Sequence, residues 1–436
     1  MSQRILFILS VVFFYLFSAV SLAAPVPTAT PTLPESAFIG EDFNFTVPFD
    51  NTGDQVGYGP FIDLILPANG ADGGDPDDLD GCTFTDASYI GIPITREEFT
   101  FPATDEGFGI GNIAHPYAVD SSGDPVIVSG TPGDQLVVLL LPFGSFTVDQ
   151  PPAPVDISVS CSNLANLNEP LPFQARGGFR FGADPLDNPA VDPSIVGAFA
   201  TDTINPTLIA LEKTYLGPED ETATGPSYPR CYQIDVFIAP DQTIDDLIIS
   251  DVLANEIQFL RVIDSGNLAG SACAGATPTT EPYTATTPST ITPGGLLEID
   301  VGDITADADP DSADATLLFE FFVPKQDNIP GEVLPTDSGD DKISPNQAYA
   351  EGSWDPIDAD DSEEIARAEI TDLGDAGGPE HELEDQAIAI QKSVGVVGGG
   401  EPRPGAILQY TLTFQVSDYF AFDDVFISDV LSDGQR

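Results

Sequence analysis

Five aspartates fall close together in the stretch ADGGDPDDLDG: Asp72, Asp75, Asp77, Asp78 and Asp80. Acids interrupted by glycine offer the hard oxygens that calcium takes, about six to eight per ion. Two further clusters follow, one at Asp303, Asp307, Asp309, Asp311 and Asp314, the other running from Asp355 to Glu364. None is an EF-hand loop. With Gly81 at the glycine position, Pro76 and Ala87 fall where the first and last ligands belong. The first cluster is the calcium candidate, and solvated loop charge is the plain alternative. Carboxylate pairs also serve glycoside hydrolysis. With 71 acids in the chain, chance pairs are many.

Other catalytic chemistry is poorly supplied. There are two histidines, His115 in NIAHPYAVD and His381 in PEHELED. Neither sits in an HExxH zinc motif, and no GxSxG elbow or phosphate-binding loop occurs. The sequence places His115 in a loop or at the surface, and lets the lone Trp354 pack rather than bind sugar. The reading is non-catalytic, with an acid-based hydrolase as the least favoured alternative.

The acids outnumber 13 basic residues and give a net charge of −58. Such a balance excludes direct binding to nucleic-acid phosphates, which needs clustered Lys and Arg. It suits a salt-adapted surface or one that gathers divalent cations.

Residues 1–24 read as a secretory signal peptide. Arg4 supplies the positive start, Ile5–Ala19 the apolar stretch, and Ser21–Ala23 the small residues for cleavage. A Pro/Thr-rich spacer follows. No other segment is apolar and long enough to span a bilayer, so no membrane span is expected after cleavage. Four cysteines in an exported chain suggest disulfides. They allow three pairings. The domain layout below favours Cys82–Cys161 and Cys231–Cys273.

The elements that position these residues repeat along the chain. Tyr232, Ile234, Val236 and Ile238 alternate as do Tyr410, Leu412, Phe414 and Val416, each 178 residues on. DDLIISDVL at Asp245–Leu253 matches DDVFISDVL at Asp423–Leu431. Strict alternation predicts half-buried strands. A looser copy precedes them: Phe43, Phe45, Val47 and Phe49 alternate, FIDLILP (Phe61–Pro67) matches the Asp251 segment, and Gln135–Phe143 matches Thr316–Lys325. The fold expected is all-β, with tandem immunoglobulin-like β-sandwich domains. The boundaries are 25–205 for the first repeat, 206–385 for the second and 386–436 for the start of a truncated third. Further repeats of a longer chain are expected to continue it.

A Lys-bearing strand, a PGAILQYTLTFQV strand and a closing ISDVLSDG segment resemble the repeat domains of bacterial surface proteins, the conserved-repeat and isopeptide-forming fimbrial (pilin-like) group. Lys392, Pro404, Gly405, Tyr410, Asp429 and Leu431 carry the likeness, as do Lys213, Tyr232, Asp251 and Leu253. In the first repeat Asp63 or Leu64 stands near the Asp position. The resemblance implies an exported structural or adhesive protein whose partners are cell-surface or matrix components. Some members join a lysine to an asparagine under a buried acid. Lys213, Asn346 and Asp251 are the candidates here. The plain alternative has Lys213 snorkelling at a strand end, Asn346 in a turn and Asp251 capping a strand. A calcium- or carbohydrate-binding extracellular module is the competing function.

Overall fold

The computed structural model describes residues 24–71, 79–167, 169–184, 193–217, 222–326, 341–343, 347–357, 364–370, 383–401 and 403–430. Residues 1–23 of the expected leader, Asp72, Asp75, Asp77, Asp78, Asn346, His381 and most of the expected boundary before 385 lie outside them. No α-helix occurs among the described residues, and none of them forms a helix able to cross a membrane. The fold is all-β. The chain divides into two compact units, Met1–Thr207 and Leu208–Arg436.

The first unit is a sandwich. Its main strands are β1 (Asp42–Asn51), β2 (Pro60–Leu66), β3 (Cys82–Tyr89), β4 (Asn112–Val119), β5 (Gln135–Leu140), β6 (Ala153–Cys161) and β7 (Leu171–Phe179). One sheet runs Pro27–Ala29, β1, β6, β3 and Ile92–Pro93. The other runs Ser36–Phe38, Ala200–Thr207, β7, β2, β5 and Thr95–Thr100. Alternation in β1 turns Phe43, Phe45, Val47 and Phe49 inward. They meet Ile62, Leu64 and Leu66 of β2 and Phe173 and Ala175 of β7 in one core. Phe45 lies edge-on to Phe173 with centroids 5.5 Å apart, an arrangement the aromatic quadrupoles favour.

Strand β2 is buried at every position. Ile62, Leu64 and Leu66 face the inter-sheet core. Phe61 and Ile65 face a second core with Phe101, Ala118, Val128, Leu136 and Val138, under the hairpin of β4 and Pro125–Ser129. A sheet covered on both faces needs apolar side chains on both, which explains the continuous run FIDLILP.

The second unit repeats this topology. Its strands are β8 (Ile209–Gly217), β9 (Arg230–Ile238), β10 (Thr243–Leu253), β11 (Gly295–Thr305), β12 (Ala315–Phe322) and β13 (Gln347–Trp354). One sheet runs β8, β9, β12 and Gln258–Val262; the other runs Thr284–Thr286, β11, β10, β13 and Glu364–Ile370. By sheet order β9 corresponds to β1, β12 to β6, β10 to β2, β11 to β5 and β13 to β7. This corrects one expected match. Gln135–Phe143 corresponds to β11, since both lie beside the strand that bears the Asp segment, and not to Thr316–Lys325. Apolar content alone does not say in which sheet a buried strand lies.

Residues 386 onward also belong to the second unit. They form a hairpin of β14 (Ile388–Val396) and β15 (Leu408–Val416). Its register is that of β8 and β9: Lys392 lies opposite Leu412 as Lys213 lies opposite Ile234. Asp246 and Asp424, 178 residues apart, share a left-handed backbone at φ 53° and 60°. Aspartate tolerates that region better than most residues. In β10 it coincides with a shift of register next to Leu247.

Candidate functional site

Alternation along β8 turns Lys213 into the core of the second unit, where it is 1 % exposed. Across the core, on the other sheet, alternation along β10 brings in Asp251 between Ile249 and Leu253, all three buried. Lys213 Nζ lies 2.5 Å from Asp251 Oδ2 and 4.8 Å from the centre of the Tyr232 ring. Both charged side chains are fully enclosed. Burial pushes the Lys213 amine below the ordinary lysine range, while the Asp251 charge and hydrogen bond act the other way. Burial, then the Asp251 charge, raise the Tyr232 phenol well above its usual value. An ammonium is tolerated here because a carboxylate faces it and an aromatic face covers it.

The hairpin of β14 and β15 repeats the arrangement. Lys392 Nζ lies 2.5 Å from Asp429 Oδ1 and 4.6 Å from the Tyr410 ring centre. These side chains are 39 % and 30 % exposed. The chemistry is the same, but the setting is wet.

In the first unit the inward acid is missing. Leu64 occupies the position of Asp251: it faces the inter-sheet core and is flanked by Val137 and Ala175, as Asp251 is by Leu297 and Ala348. Asp63 is one residue away and so points to the opposite face. There Arg176 Nε donates to its Oδ2 at 2.7 Å, and His115 Nε2 donates to its Oδ1 at 2.8 Å. His115 Nδ1 accepts the amides of Tyr117 and Ala118, which assigns the proton to Nε2. His115 therefore corrects the surface reading: it is 3 % exposed, held on β4. Its Asp63 contact resembles a general-base dyad, but both side chains are enclosed, beyond reach of a substrate. Arg176 lies over the Phe199 ring, 4.5 Å from its centre.

The cysteines form two bridges, Cys82–Cys161 and Cys231–Cys273. The first joins residues that already face each other in β3 and β6. Carboxylates of the second acidic cluster accept backbone amides, some of them within the cluster. Asp314 accepts the amides of Ile238 and Asp307, and Asp307 accepts that of Asp309. Among the described residues no three His, Cys, Asp or Glu side chains are grouped to hold a metal. Of the first cluster, Asp80 is described and buried. Trp354 is buried and donates to Gln242 Oε1 at 3.1 Å. Sequence reasoning passed over Arg176, whose only signal was an arginine in a strand between small residues.

No family model matches the chain, and no curated protein matches it. Solved structures give low-scoring likenesses. A cohesin module of a family 33 glycoside hydrolase from Clostridium perfringens is 7 % identical, covering 42 % of this chain and 97 % of its own, at a TM-score of 0.24. The C-terminal domain of the Streptococcus agalactiae AgI/II polypeptide BspA is 7 % identical, covering 83 % and 99 %, at 0.22. A C-terminal fragment of the major pilin GBS80 of the same species is 11 % identical, covering 82 % and 90 %, at 0.21. Scores this low carry no argument about function.

Proposed function

We propose that this chain is an exported, non-catalytic repeat protein of the cell surface, a stalk of tandem β-sandwiches of adhesin or fimbrial type. The observation that carries the reading is the clasp repeated in register: Lys213–Asp251 over Tyr232, then Lys392–Asp429 over Tyr410. A reactive site is normally unique and open to substrate. A contact that recurs with the repeat, and is sealed where its repeat is fully enclosed, serves architecture. Two disulfides suit an oxidising exterior. Immunolabelling of intact source cells tests the reading. Surface labelling, lost on deletion of the coding sequence, is expected. Retention inside the cell, or hydrolytic turnover abolished by one Asp→Asn change, overturns it.

The buried amine favours one addition. Lys213 is held below the ordinary lysine range, which is what attack on a carboxamide requires. In this reading the Lys213 amine displaces ammonia from Asn346, with Asp251 moving the protons. Intact-mass measurement tests it: the joined chain is lighter by one ammonia, and K213R restores the full mass. An unreduced mass in the parent chain removes the bond and leaves the ion pair.

A further inference from the structure

We propose that the stretch from Thr277 to Thr292 carries O-linked sugar, attached to threonines that the second unit presents to solvent. The inference rests on the exported reading above. The stretch reads TPTTEPYTATTPSTIT, with eight threonines and three prolines. Threonine and serine mixed with proline form the composition that carries O-linked sugar in exported chains.

The structure sorts the eight. Thr279 is 2 % exposed, and its hydroxyl donates to Ile263 O and Leu318 O. The Thr280 hydroxyl accepts the Thr316 amide at 2.8 Å. These two hold the fold. Thr277, Thr284, Thr286, Thr287, Thr290 and Thr292 are exposed, and no hydrogen bond holds their hydroxyls among the described residues.

Their backbone suits an enzyme's groove. Thr277, Thr287 and Thr292 each precede a proline, which drives a residue to extended backbone. Thr284–Thr286 is an edge strand on β11, with Thr284 opposite Asp300 and Thr286 opposite Glu298. Its other edge has no strand beside it among the described residues. An extended segment with a free edge is a form in which partners take hold of a chain.

The second observation is charge. Acids make up 71 of the 436 residues, yet between Cys273 and Glu298 the one charged residue is Glu281. Ile291 is nonetheless 89 % exposed. An uncharged edge strand is open to pairing with other chains. Attached sugar hydrates such a surface and is too bulky to let its edge pair. Phosphate on Thr284 or Thr286 would instead stand beside Asp300 and Glu298 and be repelled.

The step is transfer from a nucleotide-activated sugar by a glycosyltransferase of the source cell. Thr Oγ1 attacks the sugar C1. The C1–O bond to the diphosphate breaks, and the nucleoside diphosphate leaves with the electron pair. The hydroxyl proton passes to a base of the transferase.

Peptide mass is the test. Trypsin cuts after Arg261 and Lys325, so the reduced chain yields Val262–Lys325 as one peptide. It is compared between chain isolated from source cells and chain made in a host without protein glycosylation. Hexose or N-acetylhexosamine increments are expected in the first alone. Fragmentation that keeps side-chain adducts is expected to place them between Thr277 and Thr292. T277A/T287A/T292A, expressed in the source cells, is expected to lose the increments at those three positions. A surface-labelled chain whose peptide has its bare sequence mass, phosphate increments in place of sugar, or sugar outside the stretch alone each overturns the inference and leaves the exported reading standing. A chain held inside the cell with a bare peptide overturns both.

Discussion

Lys213 and Asp251 face each other from opposite sheets of the second unit, 2.5 Å apart and fully enclosed. The pair ties the opening strand to the strand that bears the repeat's closing motif. Buried pairs of this kind add little net stability over apolar packing, yet are costly to break from one side. K213M is expected to destabilise the second unit by about 3–5 kcal/mol, because Asp251 then stays in the core without its ammonium. The double variant K213M/D251L is expected to recover most of that loss. Urea unfolding measures both, and a double variant no more stable than K213M sinks the argument.

The same change one repeat later checks the role of burial. Lys392 and Asp429 keep the distance but not the enclosure. Exposed pairs contribute about 0–1 kcal/mol. K392M should therefore shift the urea midpoint far less than K213M. Equal shifts would mean that the motif, and not its burial, sets the energy.

Much of this arrangement was legible in the residues. The alternation of Tyr232, Ile234, Val236 and Ile238 foretold β9, and that of Tyr410, Leu412, Phe414 and Val416 foretold β15. The cysteine pairing followed from the layout. What stayed hidden depended on single-residue slips and distant loops. Asp63 and Leu64 differ by one position, and only the sheet decides which faces the core. His115 is buried because β4 folds over β2 from some fifty residues away.

The outer face of β2 yields the third prediction. Asp63 accepts from Arg176 and His115 at once, and Arg176 is its direct cross-strand neighbour. D63N keeps the shape but removes the charge that faces Arg176. A loss of about 3–5 kcal/mol in the first unit is expected, as for other half-removed buried pairs. D63N that unfolds at the parent's denaturant concentration would show the charge to be idle.

The bridges differ in reach. Cys82–Cys161 spans 79 residues and Cys231–Cys273 spans 42. In the chain-entropy account each is worth about 4 kcal/mol, slightly more for the longer loop. C82A/C161A and C231A/C273A should each lower the melting temperature of the parent. Comparable melting of the oxidised parent and either double variant would refute the account.

Asp134 gives stability a sign with pH. Its carboxyl is raised to about 6 from 3.8, first by burial. Between those values the native state holds a proton that the unfolded chain has released. Stability contributed by this group is therefore lost as pH rises through the window, and the full cost stands above 6. D134N carries no charge to bury. In EDTA at pH 7.5 it should melt higher than the parent, and at pH 3.5 at about the same temperature. A variant that melts below the parent in EDTA at pH 7.5 would mean that Asp134 stabilises the turn more than its buried charge costs it.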